Sequence, residues 1–144
     1  MSIKSFIAGA PGRNTTDAGL LALRVLAGLS LFLKHGLEKL TGYSSMVQNF
    51  PDPIHVGSHV GLAFALFADG ICSILIVIGL ATRPASVIVL INLLTAFTFI
   101  HHGEFFGGPH DHEQLVVLYI TAAATLLLTG PGRFSIDRLF QSAD

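Results

Sequence analysis

Residues 60–80 read VGLAFALFADGICSILIVIGL, from Val60 to Leu80, with one charged residue, Asp69, near the middle. A helix needs about 20 consecutive, mostly apolar residues to cross the hydrocarbon core of a bilayer, and this stretch supplies them outright. Lipid offers the backbone no hydrogen-bond partners, so a chain that enters it satisfies its own polar groups as helix. Three more apolar stretches flank this one. Ala18 to Leu33 is interrupted by Arg24 and extends towards Leu40; Ala85 to Ile100 and Gln114 to Gly130 carry no charge. The fold expected is all-α: an integral membrane four-helix bundle with spans at about 17–40, 60–80, 84–102 and 112–130, and tails over 1–16 and 131–144.

Composition supports this. Of 144 residues, 51% are apolar and 12% charged, against roughly 25% charged in soluble domains, and the mean hydropathy is +0.68. A soluble domain of this length needs more charge to cover its surface. A formal net charge of −1 gives no electrostatic footprint for nucleic acid. Cys72 is the only cysteine, which excludes an internal disulfide and a cysteine-rich metal site.

Local signals set the boundaries. Asp17 is a candidate N-cap for the first helix, and Pro84 suits the first turn of the third. Residues 79–84 leave room only for a tight turn, Gly103 to Pro109 separates the third helix from the fourth, and Gly130-Pro131-Gly132 ends the fourth. The longest loop runs from about Thr41 to Ser58 and holds Pro51 and Pro53. The first segment is read as a span rather than a cleaved signal peptide. Arg24 interrupts its apolar run, and Lys34-His35 stands where small residues would mark cleavage. Lys4, Arg13, Arg83, Arg133 and Arg138 fall on one side of the expected bundle, while the first loop has only Lys34 and Lys39 at its edge and the third has no Lys or Arg. The positive-inside rule then puts both termini in the cytoplasm of a multi-pass protein of the bacterial inner (plasma) membrane.

Ionisable groups at membrane depth cost a few kcal/mol each, so they turn inward. Helical spacing places Arg24, Leu31, His35 and Glu38 on one face of the first helix, and Asp69, Cys72 and Ser73 on one face of the second. Asn92, Thr95, Phe99 and His102 share a face of the third, and His112 and Tyr119 a face of the fourth. Four inward stripes would line a pocket with Arg24, His35, Glu38, Asp69, Asn92, His102 and Tyr119. An Arg24–Asp69 ion pair is within reach of the long arginine side chain. Such a pair has two readings, a structural tie between helices or a ligand and proton-relay role. Asn92 and Tyr119 read first as interhelical glue, and Cys72 as a small packing residue.

His35, His55, His59, His101, His102, His110 and His112 all map to the outer side, with Glu38, Glu104, Asp111 and Glu113. Imidazole and carboxylate suit zinc, copper, iron or nickel. His102, His110, His112 and Glu113 are therefore the candidate ligands of a divalent metal. The alternative is a solvated loop whose imidazoles titrate near neutral pH.

The series Arg24-x3-Gly28-x3-Phe32-x2-His35-Gly36-x2-Lys39-Leu40 resembles the first helix of the DoxX family. Asp69 followed by Gly79-Leu80-x-Thr82-Arg83 resembles its second, with Asp where the family pattern has Glu. His101 or His102, Phe105-Phe106 and Glu113 resemble its third loop, and Gly130-Pro131-Gly132-Arg133-Phe134-Ser135-Ile136-Asp137 its C-terminal signature; His110-x-His112 departs from the usual spacer. Together, in this order, the motifs cover about Ala18 to Asp137. The resemblance implies a four-helix membrane protein whose relatives include the DoxD subunit of a thiosulfate:quinone oxidoreductase. Other members are associated with sulfur-transfer and superoxide-detoxifying proteins.

Two functions emerge as expectations. In one, the chain is a quinone-linked or redox-associated subunit of a membrane oxidoreductase system, and its polar pocket takes a quinone head group. Histidines and carboxylates within reach of the ring suit proton-coupled chemistry. The chain has no CxxCH haem motif and no cysteine cluster for iron–sulfur, so the electrons come from a partner oxidoreductase, a sulfur-transfer protein, a substrate or a group held by the histidines. In the other, the chain is a non-enzymatic membrane anchor or assembly subunit, alone or as a homo-oligomer. A solute transporter fits less well, because the sequence shows no inverted repeat or pair of broken helices. On a Cys72-free background, an external thiol reagent is expected to label cysteines placed at Ser58 or Gly107 but not at Thr82 or Ser142. Labelling at Thr82 would reverse the orientation.

Overall fold

The computed structural model describes residues 12–53, 55–100 and 113–141, and these are helices joined by turns, with no strand among them. Helix α1 is α-helical over Arg13–Leu31, π-helical over Phe32–Gly36 and α-helical again over Leu37–Thr41. A short α2, Tyr43–Met46, comes next. Helix α3 likewise changes from α (Ser58–Leu66) to π (Phe67–Cys72) and back (Ser73–Ile78). Helix α4 runs over Thr82–Thr95 and ends in a π stretch, Ala96–Ile100. Helix α5 covers Glu113–Thr129 and α6 covers Ile136–Gln141. The apolar runs Asn14–Thr41, Ser58–Ile78 and Thr82–Ile100 are long enough to cross a membrane, and Gln114–Thr129 is a shorter apolar helix.

The surface confirms the solvent. Leu128 is 78% exposed, Leu26 71% and Leu118 62%, whereas Arg24 is fully buried and Asp69 nearly so. Apolar side chains outside and charges inside is the arrangement lipid selects. The core joins Leu31 of α1, Cys72 and Ile76 of α3, Val89 and Leu93 of α4, and Tyr119, Ala123 and Leu126 of α5. Helices α1 and α3 pack along each other, as do α4 and α5.

The π turns correct one expectation. A π turn carries one residue more than an α turn and rotates everything beyond it about the helix axis. Past Phe32–Gly36, the inward position therefore passes from Glu38, which is exposed, to Lys39, whose side chain is only 13% exposed. Glu38 does not share the inner face with Arg24. The π stretch of α1 lies against that of α3, and glycine makes the approach possible. A Cβ at Gly36 would fall 2.5 Å from the Asp69 carbonyl oxygen, and one at Gly28 would fall 2.9 Å from that of Ser73. Small residues let helix backbones touch in lipid, where no hydrophobic effect drives helices together.

At the opposite end, α3 stops at Gly79. Its left-handed φ of 73° lets the amides of Gly79 and Leu80 both return to the Leu75 carbonyl. The first helix begins at Arg13, with Gly12 at its cap and no side-chain cap bond. Asp17 is therefore not its N-cap; its Oδ1 accepts the Arg133 amide at 2.9 Å.

Gly36→Ala is expected to lower the melting temperature and to separate α1 from α3, because the obstructing atoms are backbone. Gly19→Ala, with nothing within 4 Å, is expected to leave stability unchanged or raise it. Equal melting temperatures for both variants would show that the backbones do not meet at Gly36.

Candidate functional site

Asp69 sits in the π stretch of α3, buried, with both carboxylate oxygens engaged. Lys39 Nζ from α1 donates to Oδ2 at 2.8 Å, and Asn92 Nδ2 from α4 donates to Oδ1 at 2.9 Å. Three helices thus converge on one carboxylate. The local irregularity is satisfied in the same place. Ser73 Oγ, one turn on, lies 2.5 Å from the Asp69 carbonyl and 2.8 Å from that of Gly70, and Lys39 Nζ reaches the His35 carbonyl at 3.5 Å. The half-buried His35 meets the Tyr119 ring edge-on, with centroids 6.1 Å apart, and the Tyr119 hydroxyl shares a 2.6 Å hydrogen bond with Ser30. That bond ties α5 to α1 and fixes the ring against which His35 rests.

Above this cluster lies a cavity of about 470 Å³, within the range of small-molecule sites. Its floor is polar, made by His35, Lys39, Asp69 and Asn92; its walls are apolar and include Phe64 and Ile91. The α1–α3 connection forms the roof through Met46, Phe50, Pro51 and Val56. That loop is tied down: the Asp52 carboxylate accepts the amides of Val56 at 2.9 Å and Gly57 at 2.8 Å, and the Ser58 hydroxyl donates to the Phe50 carbonyl at 2.9 Å. The cavity therefore has a hydrogen-bonded roof, paired polar groups at its floor and an apolar wall.

Of the pocket residues expected from sequence, the structure brings His35, Asp69 and Asn92 together and adds Tyr119 behind His35. Glu38 is outside. His102, His110 and His112 lie outside the described residues, as does the side chain of Glu113, and the described residues hold no group of three or more His, Cys, Asp or Glu side chains that could bind a metal. The Arg24–Asp69 pair does not form. Arg24 lies beside Gly79, ten residues further along α3 than Asp69, or about 15 Å at the rise of an α-helix. Its Nη2 donates to the Phe134 carbonyl, and Asp137 supplies its counter-charge. Asp137 also accepts the amides of Ala81 at 2.6 Å and Thr82 at 2.9 Å, capping α4. A Cβ at Gly79 would collide with the Arg24 guanidinium. Arg24 is the bolt of a clasp between α1, the α3–α4 turn and the C-terminal segment.

Comparison with known proteins gives the family. The DoxX family model matches residues 19–102. The chain belongs to the DoxX family. Relatives of this DoxX protein include "Inner membrane protein YqjF" of Escherichia coli, 35% identical over 85% of this chain and 92% of its own. "Uncharacterized membrane protein Rv3486" of Mycobacterium tuberculosis is 30% identical over 83% of this chain and 79% of its own. "Putative oxidoreductase CatD" of Bacillus subtilis is 30% identical over 84% of this chain and 86% of its own. A bacterial inner membrane is consistent with these relatives and with the apolar helices. No solved structure matches the chain.

Lys39 is the site residue that sequence spacing misses. It is in the motif from Arg24 to Leu40, but an unbroken α-helix directs Glu38 inward instead. Lys39→Met alone is expected to destabilise the protein strongly, because it leaves Asp69 buried without its cation. Adding Asp69→Asn should recover a large part of the loss, and Arg24→Met should show no coupling to Asp69→Asn. Additive losses for Lys39 and Asp69 in thermal unfolding would refute the pair.

Proposed function

We propose that this DoxX protein is a four-span subunit of a membrane redox system, with both termini cytoplasmic, and that the cavity over Asp69 receives a quinone-type ring. The observation that carries the reading is a fixed ion pair and imidazole at the floor of an apolar, lidded cavity. The fit is chemical. A quinone is a flat apolar ring with carbonyl acceptors, and the floor offers cationic and amide donors while the walls offer aliphatic and aromatic surface. Lys39 would hold a carbonyl oxygen, His35 would exchange a proton with the ring's rim, and Asp69 keeps the Lys39 ammonium in place. Asn92 fixes the second carboxylate oxygen, so Asp69 keeps its direction when Lys39 shifts towards a ligand. A bound quinone supplies electron and proton acceptance together. The residues here supply position and protons.

The name carried by the Bacillus subtilis relative is in keeping with this reading. The electrons would come from a partner oxidoreductase or a sulfur-transfer protein. The divalent metal at His102, His110, His112 and Glu113 stays a proposal of the sequence, as does a homo-oligomer. A non-enzymatic anchor is the competing reading, in which the ion pair only sets helix register.

Gently purified protein is expected to carry quinone detectable by mass spectrometry, and Lys39→Met/Asp69→Asn protein, checked to be folded, is expected to carry at least about tenfold less. Metal analysis of the same material tests the histidine site. Folded wild-type protein that neither retains quinone nor binds added quinone would leave the anchor reading standing.

A further inference from the structure

A second cavity, of about 770 Å³, lies at the end of the bundle that carries the described termini, away from Asp69. Arg83 at the start of α4, Arg133 in the 130–135 turn and Arg138 of α6 line it, with Asp17 and Asp137. The two carboxylates are committed to the backbone: Asp17 accepts the Arg133 amide and Asp137 the amides of Ala81 and Thr82. Their direction is thus set by the turns they hold. The arginines are placed differently. Arg83 is exposed and has no hydrogen-bond acceptor among the described residues; its guanidinium lies against Gly130, where a Cβ would come within 3.6 Å of Nε. Arg133 is exposed, and its Nη1 donates to Asn14 Oδ1, a neutral partner, at 3.2 Å.

The wall of this cleft also holds an unspent donor. Thr82 lines it, is fully buried, and its Oγ1 has no partner among the described residues. A buried hydroxyl left open beside the Arg83 and Arg133 guanidinium groups describes a site that takes an oxyanion, since arginine's planar fork matches phosphate oxygens. The chain beside the cleft points to which one. Phe134, Leu139 and Phe140, in and beside α6, are 52%, 70% and 67% exposed. Large apolar side chains turned outward next to arginines belong at the boundary between head groups and acyl chains.

We propose that the cleft of Arg83 and Arg133 binds the phosphate of an anionic phospholipid, with the acyl chains lying along Phe134, Leu139 and Phe140. Basic pockets between helices on the anionic face of a membrane bind head groups in this manner. The lipid would fasten the α3–α4 turn to the C-terminal segment, adding to the clasp that Arg24 makes from inside. The site is separate from the Asp69 cavity, so it stands whatever that cavity holds.

The test uses the full chain in nanodiscs of phosphatidylcholine, with or without phosphatidylglycerol. Phosphatidylglycerol is expected to raise the melting temperature by about 4 °C, the size that a tenfold preference for the folded state gives a chain of this length. Arg83→Gln/Arg133→Gln is expected to lose that increment while melting like wild type in phosphatidylcholine. Arg83→Gln alone, which removes no hydrogen bond among the described residues, should lose part of it, and Lys34→Gln, far from the cleft, should keep it. No increment in wild type, or a full increment in the double variant, would overturn the proposal. A full increment from inorganic phosphate in phosphatidylcholine discs would assign the cleft to the free ion and overturn the lipid.

Discussion

Everything at the centre of this molecule answers to one constraint: a carboxylate sits in the middle of a lipid-spanning helix. Asp69 has no water to solvate it and cannot be left unpaired at that depth. The protein brings a cation from α1 and an amide from α4 to its two oxygens. These contacts fix the register of three helices at once, because each partner reaches Asp69 at only one height. The glycines serve the same end. With no Cβ at Gly36, the α1 and α3 backbones close to contact beside Asp69, and Lys39 one turn further on is then within reach.

The π turns answer that demand. Each inserts a residue into a helical turn, which weakens the regular hydrogen-bond ladder and re-aims the side chains beyond it. In α1 the gain is Lys39 on the inner face. In α3 the turn contains Asp69 itself, and Ser73 satisfies the carbonyls it disturbs. Irregular backbone in a membrane persists where protein groups satisfy it and where a cavity lies beside it. Both conditions hold here, and the cavity is the one with the polar floor.

The two ends of the bundle have different characters. The Asp69 end is an apolar chamber with a paired polar floor and a hydrogen-bonded roof. The end carrying Arg24 is a clasp in which Asp17 and Asp137 cap backbone amides and Arg24 fastens the C-terminal segment from within. The stretch matched by the DoxX family model, residues 19–102, runs through both, so it divides between holding the fold and furnishing the chamber. Arg24 and Gly79 belong to the first group, and His35, Lys39 and Asp69 to the second. Membership alone does not separate these roles.

The sequence by itself determined that the chain lives in lipid. Uninterrupted apolar length and scarce charge leave helix as the only way to satisfy the backbone there, and the turn residues at Gly79 and Gly130 end helices where the left-handed conformation is needed. It also determined that Arg24, His35, Asp69 and Asn92 turn inward, since lipid rejects them. Only the tertiary structure decided which of them meet. Helical periodicity assumes an unbroken 3.6-residue repeat, and the π turn at Phe32–Gly36 breaks it, replacing Glu38 with Lys39 as the inner residue. Side-chain length made Arg24 and Asp69 look like partners, but pairing depends on depth as well as face. Gly79 and the Phe134 carbonyl set Arg24 well over a helical turn from Asp69, which only the packing of α3 against α1 and the folded-back C-terminal segment could fix.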